Sequence, residues 1–271
     1  DGYLEFGTGS DYLDGDGRDE GNRVYIVDGE QITVLLSWND WADRDQDYDL
    51  YLYNSSGTVV AASLHSQTGW QYPTERITHT VSATGYYEIA IRNAGVSAPY
   101  PELEFFTYLD SGYDTGLEFN VSASSVAAPA NSADVLAVGA IDEDDWTTGP
   151  AESFSSRGPS NASVYASSIV KPDIAGPDGV ANYTQGPFYG TSASSPHVAG
   201  AAALLLTEDP SRTPADLQTK LEADAIDMGS AGKDNTYGAG RLDLEPEPLE
   251  PLRGYWQFES GSGTTALDSS S

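Results

Sequence analysis

Ser192 stands in the stretch Gly190-Thr-Ser-Ala-Ser-Ser-Pro-His-Val-Ala-Gly200, where a glycine able to make a tight turn leads into an almost wholly apolar run ending at Leu206. If that run is a helix, Ser192 lies at its mouth, where free backbone N–H groups and the positive end of the helix dipole favour a developing negative charge. A serine nucleophile needs such surroundings, because the tetrahedral intermediate of acyl transfer carries an oxyanion beside it. The same residues have a plainer reading, in which Ser192 or Thr191 only caps a core helix. A nucleophilic serine also needs a histidine to take its proton and an acid to orient that histidine. The chain has three histidines, His65, His79 and His197, the last five residues beyond Ser192 in the same stretch.

Two acidic clusters carry a different chemistry. Asp14, Asp16 and Asp19 form one, and Asp40, Asp43, Asp45, Asp47 and Asp49 form the other. Closely spaced carboxylates on a loop supply the hard oxygen ligands that calcium prefers, so structural calcium is expected at Asp40, Asp47 and Asp49 and at Asp14, Asp16 and Asp19. The alternative is a solvated acidic loop in an already acidic protein. Four Asn-x-Ser/Thr triplets, at Asn54, Asn120, Asn161 and Asn182, are common enough by chance to imply nothing.

The elements that must hold these groups change character along the chain. From Arg23 to about Val121 short strands alternate with turn signals. Ile32, Val34 and Leu36 alternate with Thr33, Leu35 and Ser37, and Leu50 and Leu52 alternate with Tyr51 and Tyr53. The turn Asn54-Ser-Ser-Gly57 returns the chain into 58–62, and further strands are expected over 76–81, 86–92, 104–109 and 117–121. Regular spacing with period-two alternation predicts an antiparallel sandwich or jelly roll. Beyond residue 124 the pattern becomes α/β. The nearly continuous apolar run from Asp134 to Ile141 predicts a buried parallel strand, and 190–206 a central buried helix. A second helix begins at Thr213 as N-cap, with Pro214 first, Asp216 in the first turn, and Leu217, Leu221 and Ala225 as its buried stripe. After Leu244 comes the acidic, proline-rich linker 245–253, and 254–271 opens a further strand-like unit too short to bury a core.

Composition narrows the function classes. A hydrophobic fraction of 39% supports a packed core, and the lack of cysteine excludes disulfides and thiol chemistry. With 42 acidic against 12 basic residues the net charge is −30, which repels nucleic acid and anionic membrane surfaces. Dense acid with few lysines suits a secreted or salt-adapted protein, or simply a soluble surface. The longest apolar run, Val198 to Leu206, is far too short to cross a bilayer. The first residue is Asp1, and no targeting segment follows it, so the chain is expected to be a piece of a longer protein.

The serine stretch resembles the serine motif of subtilisin-like proteases, Gly-Thr-Ser-Met-Ala-x-Pro-His-Val-(Ala/Ser)-Gly, departing only at Ala193 and Ser194. The flanks resemble that family in order. They are Asp134–Asp142, Ser153-Phe-Ser-Ser-Arg-Gly-Pro159, Lys171-Pro-Asp-Ile174 (followed here by Gly176-Pro-Asp-Gly179 in place of Ala-Pro-Gly) and Tyr237-Gly-Ala-Gly-Arg-Leu-Asp243. The resemblance implies that Ser192 is the nucleophile, that its N–H and the Thr191 hydroxyl help hold the oxyanion, and that Gly190, Pro196 and His197 are structural parts of the motif. It implies no catalytic cofactor. The family's Asp, His-Gly and Ala-Gly-Asn motifs are absent and are expected upstream of Asp1. Asp49-Leu-Tyr-Leu-Tyr53 resembles a strand of pre-peptidase C-terminal β domains, and 254–271 resembles the start of a laminin-G or concanavalin-like domain.

The expected fold is therefore α/β, the C-terminal part of a subtilisin-like parallel-sheet domain (125–244) preceded by an all-β sandwich or jelly-roll insert (1–124). The expected activity is that of a secreted, monomeric serine endopeptidase acting on polypeptides, with this chain inactive by itself. The rivals are a non-catalytic relative and a secreted calcium- and glycan-binding modular protein.

Overall fold

The computed structural model describes residues 4, 6, 20–95, 102–111, 116–161, 167–184 and 186–244. Seven strands make its first part: β1 (Gly21–Ile26), β2 (Gln31–Trp38), β3 (Tyr48–Asn54), β4 (Val59–Ser63), β5 (Thr74–Thr80), β6 (Gly85–Asn93) and β7 (Leu103–Leu109). They form two antiparallel sheets, ordered β1-β6-β3-β4 and β5-β2-β7. Alternation drives the pairing of faces: along β2, Ile32, Val34, Leu36 and Trp38 are buried while Gln31 and Leu35 face solvent. Those side chains meet Leu50, Leu52, Ile89 and Ile91 of the other sheet in one apolar cluster. Inside it the Trp38 and Tyr48 rings sit edge to face, 5.3 Å apart.

Alternation fails at Tyr53, which is buried, because the register of β3 against β4 shifts between Leu52 and Tyr53. A bulge of this kind turns consecutive side chains to one face. The β3–β4 turn forms as its residues suggest. The Asn54 Oδ1 accepts from the N–H groups of Ser56 and Thr58, and Gly57 adopts φ +70°. The strand expected over 117–121 does not form. Asn22 satisfies Phe119 with its side chain, accepting from the Phe119 N–H at 3.1 Å and donating to its carbonyl at 2.6 Å, so no ladder is needed there.

The second part contains β8 (Val138–Asp142), β9 (Ile174–Asp178), α1 (Thr191–Glu208) and α2 (Pro214–Asp224). β8 and β9 pair in parallel from Val138↔Ile174 to Asp142↔Asp178. β8 begins four residues later than expected, because side chains take the backbone groups that a ladder would use. The Asp173 Oδ2 accepts from the Ala137 N–H at 2.7 Å, and the Lys171 ammonium donates to the Val135 carbonyl at 2.7 Å.

α1 is not buried all round. Ala193, Ser194, Val198, Ala201 and Leu205 line its inner face, and Val198, Ala201 and Leu205 cluster with Ile174 and Leu221. Leu204 remains 61% exposed on the other side. The apolar composition that suggested a central helix is real, but here only one face is covered. α2 starts as its sequence indicates: the Asp216 N–H donates to the Thr213 hydroxyl, and the Asp216 carboxylate accepts from the Thr213 N–H. Of the expected stripe, Leu221 is buried, and Leu217 and Ala225 are half-buried. Among the described residues no helix is long and apolar enough to cross a membrane.

Candidate active site

Gly190 is the N-cap of α1, with φ 114° and ψ 156°, a conformation that side chains strongly disfavour. Its carbonyl accepts from the Ala193 N–H at 2.7 Å, closing the first turn. No side chain caps this helix, so neither Thr191 nor Ser192 has the capping role that the plainer reading assigned. Thr191 and Ser192 instead occupy the first two helical positions, where backbone N–H groups have no intrahelical acceptor. Ser192 is exposed. An exposed hydroxyl beside N–H groups without an intrahelical acceptor suits oxyanion stabilisation.

Pro196 interrupts the hydrogen-bond ladder of α1, since it has no N–H to offer the Ser192 carbonyl one turn back. One residue on, the His197 Nδ1 donates to the Ala193 carbonyl at 2.8 Å. His197 is thereby tied to its own helix and makes no hydrogen bond to Ser192. His79 lies on β5, opposite Ile32 of β2. The third histidine, His65, belongs to a cluster that sequence spacing does not reveal. Its Nδ1 lies 3.0 Å from the Glu75 Oε2 and 3.2 Å from the Ser63 Oγ, while its backbone N–H donates to the Glu75 Oε1 at 2.8 Å.

Ser63, His65 and Glu75 look like a triad by composition but cannot act as one. The same imidazole nitrogen faces both partners, whereas a triad places serine and acid on opposite nitrogens. The buried Ser63 hydroxyl also donates to Glu75, whose carboxylate takes the Gln67 amide as well. The cluster is a polar tie between β4 and β5, one from each sheet. Only the three-dimensional packing of those strands could have shown it.

The acidic residues of the 40–49 loop do not converge. The Asp40 Oδ2 accepts from the N–H groups of Asp45 and Gln46 at 2.8 and 2.9 Å, which makes Asp40 the organiser of its own turn. Asp47 accepts from the Gln67 N–H, and Asp49 accepts from the Tyr51 hydroxyl. Burial, opposed by the Gln67 hydrogen bond and reinforced by the charges of Asp49 and Glu75, raises the Asp47 pKa. Among the described residues no group of three or more acids or histidines is placed to hold a metal ion. The expected calcium ligands Asp40, Asp47 and Asp49 thus make local hydrogen bonds and are not brought together. Asp14, Asp16 and Asp19, the linker 245–253 and the unit 254–271 lie outside the described residues.

The motifs around Ser192 meet at Asp173. Its carboxylate binds the buried Lys171 at 2.7 Å and Lys233 at 2.8 Å, and Lys233 reaches on to Glu222 of α2. Gly238 packs so closely that a Cβ there would fall 2.2 Å from the Asp173 carbonyl carbon.

The sequence profile of the subtilase family matches residues 93–240. Subtilisin BL of Lederbergia lenta is 30% identical over 160 residues, covering 57% of this chain and 55% of its own length. A subtilisin of Bacillus pumilus is 36% identical over 124 residues, covering 46% of this chain and 40% of its own. The chain spans about half the length of the curated relatives it matches. Among solved structures, the CspB protease of Clostridium perfringens superposes with a TM-score of 0.59 at 17% identity, over 82% of this chain and 52% of that one. That likeness of fold reaches further than residues 93–240 alone could supply. A profile match over more than half the chain, on the part that carries Ser192, makes this protein a member of the subtilase family.

Proposed function

We propose that this chain is the serine-bearing part of a secreted serine endopeptidase that cleaves polypeptides through an acyl-enzyme on Ser192. The observation that carries this reading is the placement of Ser192: exposed, second in α1, behind a Gly190 turn, and free of any capping duty. In the first step the Ser192 Oγ attacks the peptide carbonyl carbon and gives its proton to a general base. The oxyanion develops beside the Ser192 N–H and the Thr191 side chain, and collapse expels the amine and leaves the acyl-enzyme. Water then releases the acid.

None of the three histidines hydrogen-bonds Ser192, so the base, its orienting acid and the oxyanion asparagine would come from residues outside these 271. Residues 1–124 would then be a jelly-roll insert and 125–244 the C-terminal part of a monomeric peptidase domain, the reaction needing no cofactor.

A fluorophosphonate probe tests the assignment. It is expected to label the parent protein at Ser192 and to leave the 271-residue chain unlabelled. Ser192→Ala in the parent should abolish labelling and lower turnover by about 10⁶, a figure that comes from subtilisin's own triad. An active Ser192→Ala parent would sink the assignment. A parent with intact Ser192 that neither labels nor cleaves would favour the non-catalytic relative, a reading to which the lack of a histidine at Ser192 also points.

A further inference from the structure

Three of the places where this chain departs from the motifs it resembles fall on facing elements. Ser194 stands where the serine motif has Ala; with no gap introduced, Gly176 stands where the Lys-Pro-Asp-Ile motif goes on to Ala, and Asp178 where it goes on to Gly. The first lies in the opening turn of α1 and the other two on β9, and helix and strand run in opposite directions. Ile174 clusters with Val198 and Ala201, a Cβ on Gly176 would fall 2.7 Å from the Ser194 carbonyl oxygen and 3.1 Å from the Ser194 Cβ, and the Gly179 N–H donates to the Phe188 carbonyl at 3.2 Å. Gly176 therefore lets the start of α1 settle onto the strand. An alanine there would have to lift the helix at Ser194.

Two buried polar groups at this contact have no partner. The Ser194 hydroxyl makes no hydrogen bond, and Asp178 is fully buried with neither carboxylate oxygen bonded. Each is costly to leave so, the carboxylate most of all. Residues two apart on a strand project from one face, so Asp178 points the same way as Gly176, toward α1. Side chains on a helix tilt toward its N-terminus, so the Ser194 hydroxyl leans from Gly176 toward Asp178. A hydroxyl that lacks an acceptor thus faces a carboxylate that lacks a donor, across the closest approach of helix and strand. The alternative partner for Asp178 is Glu152, whose pKa is raised by burial and then by the Asp178 charge.

We propose that the Ser194 hydroxyl donates to the Asp178 carboxylate, directly or through one buried water, and that this link holds the first turn of α1 on β9 and so positions Ser192. Ser192 lies two residues before Ser194 in the same turn, so its hydroxyl and N–H move with that turn. Ser194 and Asp178 are positioning residues that act through the helix start, and Gly176 supplies the close approach that they need. The three departures make one device, a small residue on the strand matched to a polar pair between strand and helix. Its effect on Ser192 rests on the assignment of Ser192 as nucleophile, whereas the link itself does not.

A double-mutant cycle on the melting midpoint of the full chain reads the link. Ser194→Ala and Asp178→Ala should be coupled, the double variant melting above the sum of the two single shifts. Additive shifts overturn the link, as does coupling of Asp178→Ala to Glu152→Gln in place of Ser194→Ala. In the parent protein, fluorophosphonate labelling and peptide turnover read the positioning. Ser194→Ala and Asp178→Ala should each slow labelling and lower kcat on the order of tenfold with KM little changed, and Asp178→Asn, which keeps an acceptor, should restore most of the rate. Gly176→Ala should slow labelling as Ser194→Ala does, and adding Ser194→Ala to it should cost little more. Ser194→Ala removes a single oxygen, so it reports even where Asp178→Ala folds poorly. Labelling that neither Ser194→Ala nor Asp178→Ala slows overturns the positioning role. A parent that never labels, with midpoints still coupled, would defeat the nucleophile assignment and uphold the link.

Discussion

Asp173 and Glu75 are both buried carboxylates, and they differ in their partners. Asp173 is held by two lysines and the Ala137 N–H. Removing the buried Lys171 would leave Lys233 as the carboxylate's one remaining lysine partner, at a cost below the roughly 3–5 kcal/mol of a fully broken buried pair. Glu75 instead faces His65, whose pKa is raised above the usual 6.5 by the Glu75 hydrogen bond and then by its charge. A histidine with a raised folded-state pKa contributes stability that is complete below its unfolded value and is lost as pH rises through the folded one. The two-sheet part should therefore lose a small increment of stability as pH rises from below 6.5 through that raised value. His65→Gln should flatten this change in urea titrations run at a series of pH values. An identical pH profile in the variant would mean that the pair is not formed in solution. The place of Ser192, second in α1 behind the Gly190 turn, was legible from its neighbours because it is set locally. The Ser63–His65–Glu75 tie was not, because it exists only once β4 and β5 are brought together.

At the scale of elements, local signals were read well and shared surfaces poorly. Thr213, Pro214 and Asp216 carry everything needed to start α2, and the capping box forms as they indicate. Thr213→Ala should cost about 1 kcal/mol, seen as a lower urea midpoint with an unchanged slope. A cost near zero would show that packing of Leu221 alone sets the helix start. The apolar run of α1 gave its existence but not its environment, since composition cannot say which face finds a partner. Pro196, Gly200 and Leu204 line one open groove beside α1 and Leu217 and Leu221 another, so the helix offers apolar surface on both flanks. Residues 117–121 and 134–137 were misread for one reason. Alternation and hydrophobicity suit a strand, yet Asn22, Lys171 and Asp173 had already claimed the backbone groups that a ladder would use.

Over the whole molecule the dominant fact is a net charge of −30, with the acids spread along both halves of the chain. Self-repulsion of that size opposes the compact state and is screened by salt. The screening length falls from about 10 Å at 0.1 M to about 3 Å at 1 M, so sodium chloride should raise the melting midpoint over that range. A midpoint that stays flat or falls would show that repulsion does not limit stability. The change from antiparallel strands to an α/β unit was legible at this scale, because the periodicity itself changes along the chain.

The Asn22–Phe119 clamp, reinforced by the Glu118 N–H donating to the Arg23 carbonyl, has a topological consequence. It brings the first strand of the two-sheet part against the segment where the chain leaves it, although 97 residues separate Asn22 from Phe119. A body whose entrance and exit touch resembles a bead on a loop of string. It can be threaded into a surface turn of a host without prising the host's strands apart, and removed again by joining two nearby ends. Under the proposed insert arrangement, a short bridge in the remaining chain would be enough to close the gap that such a bead leaves.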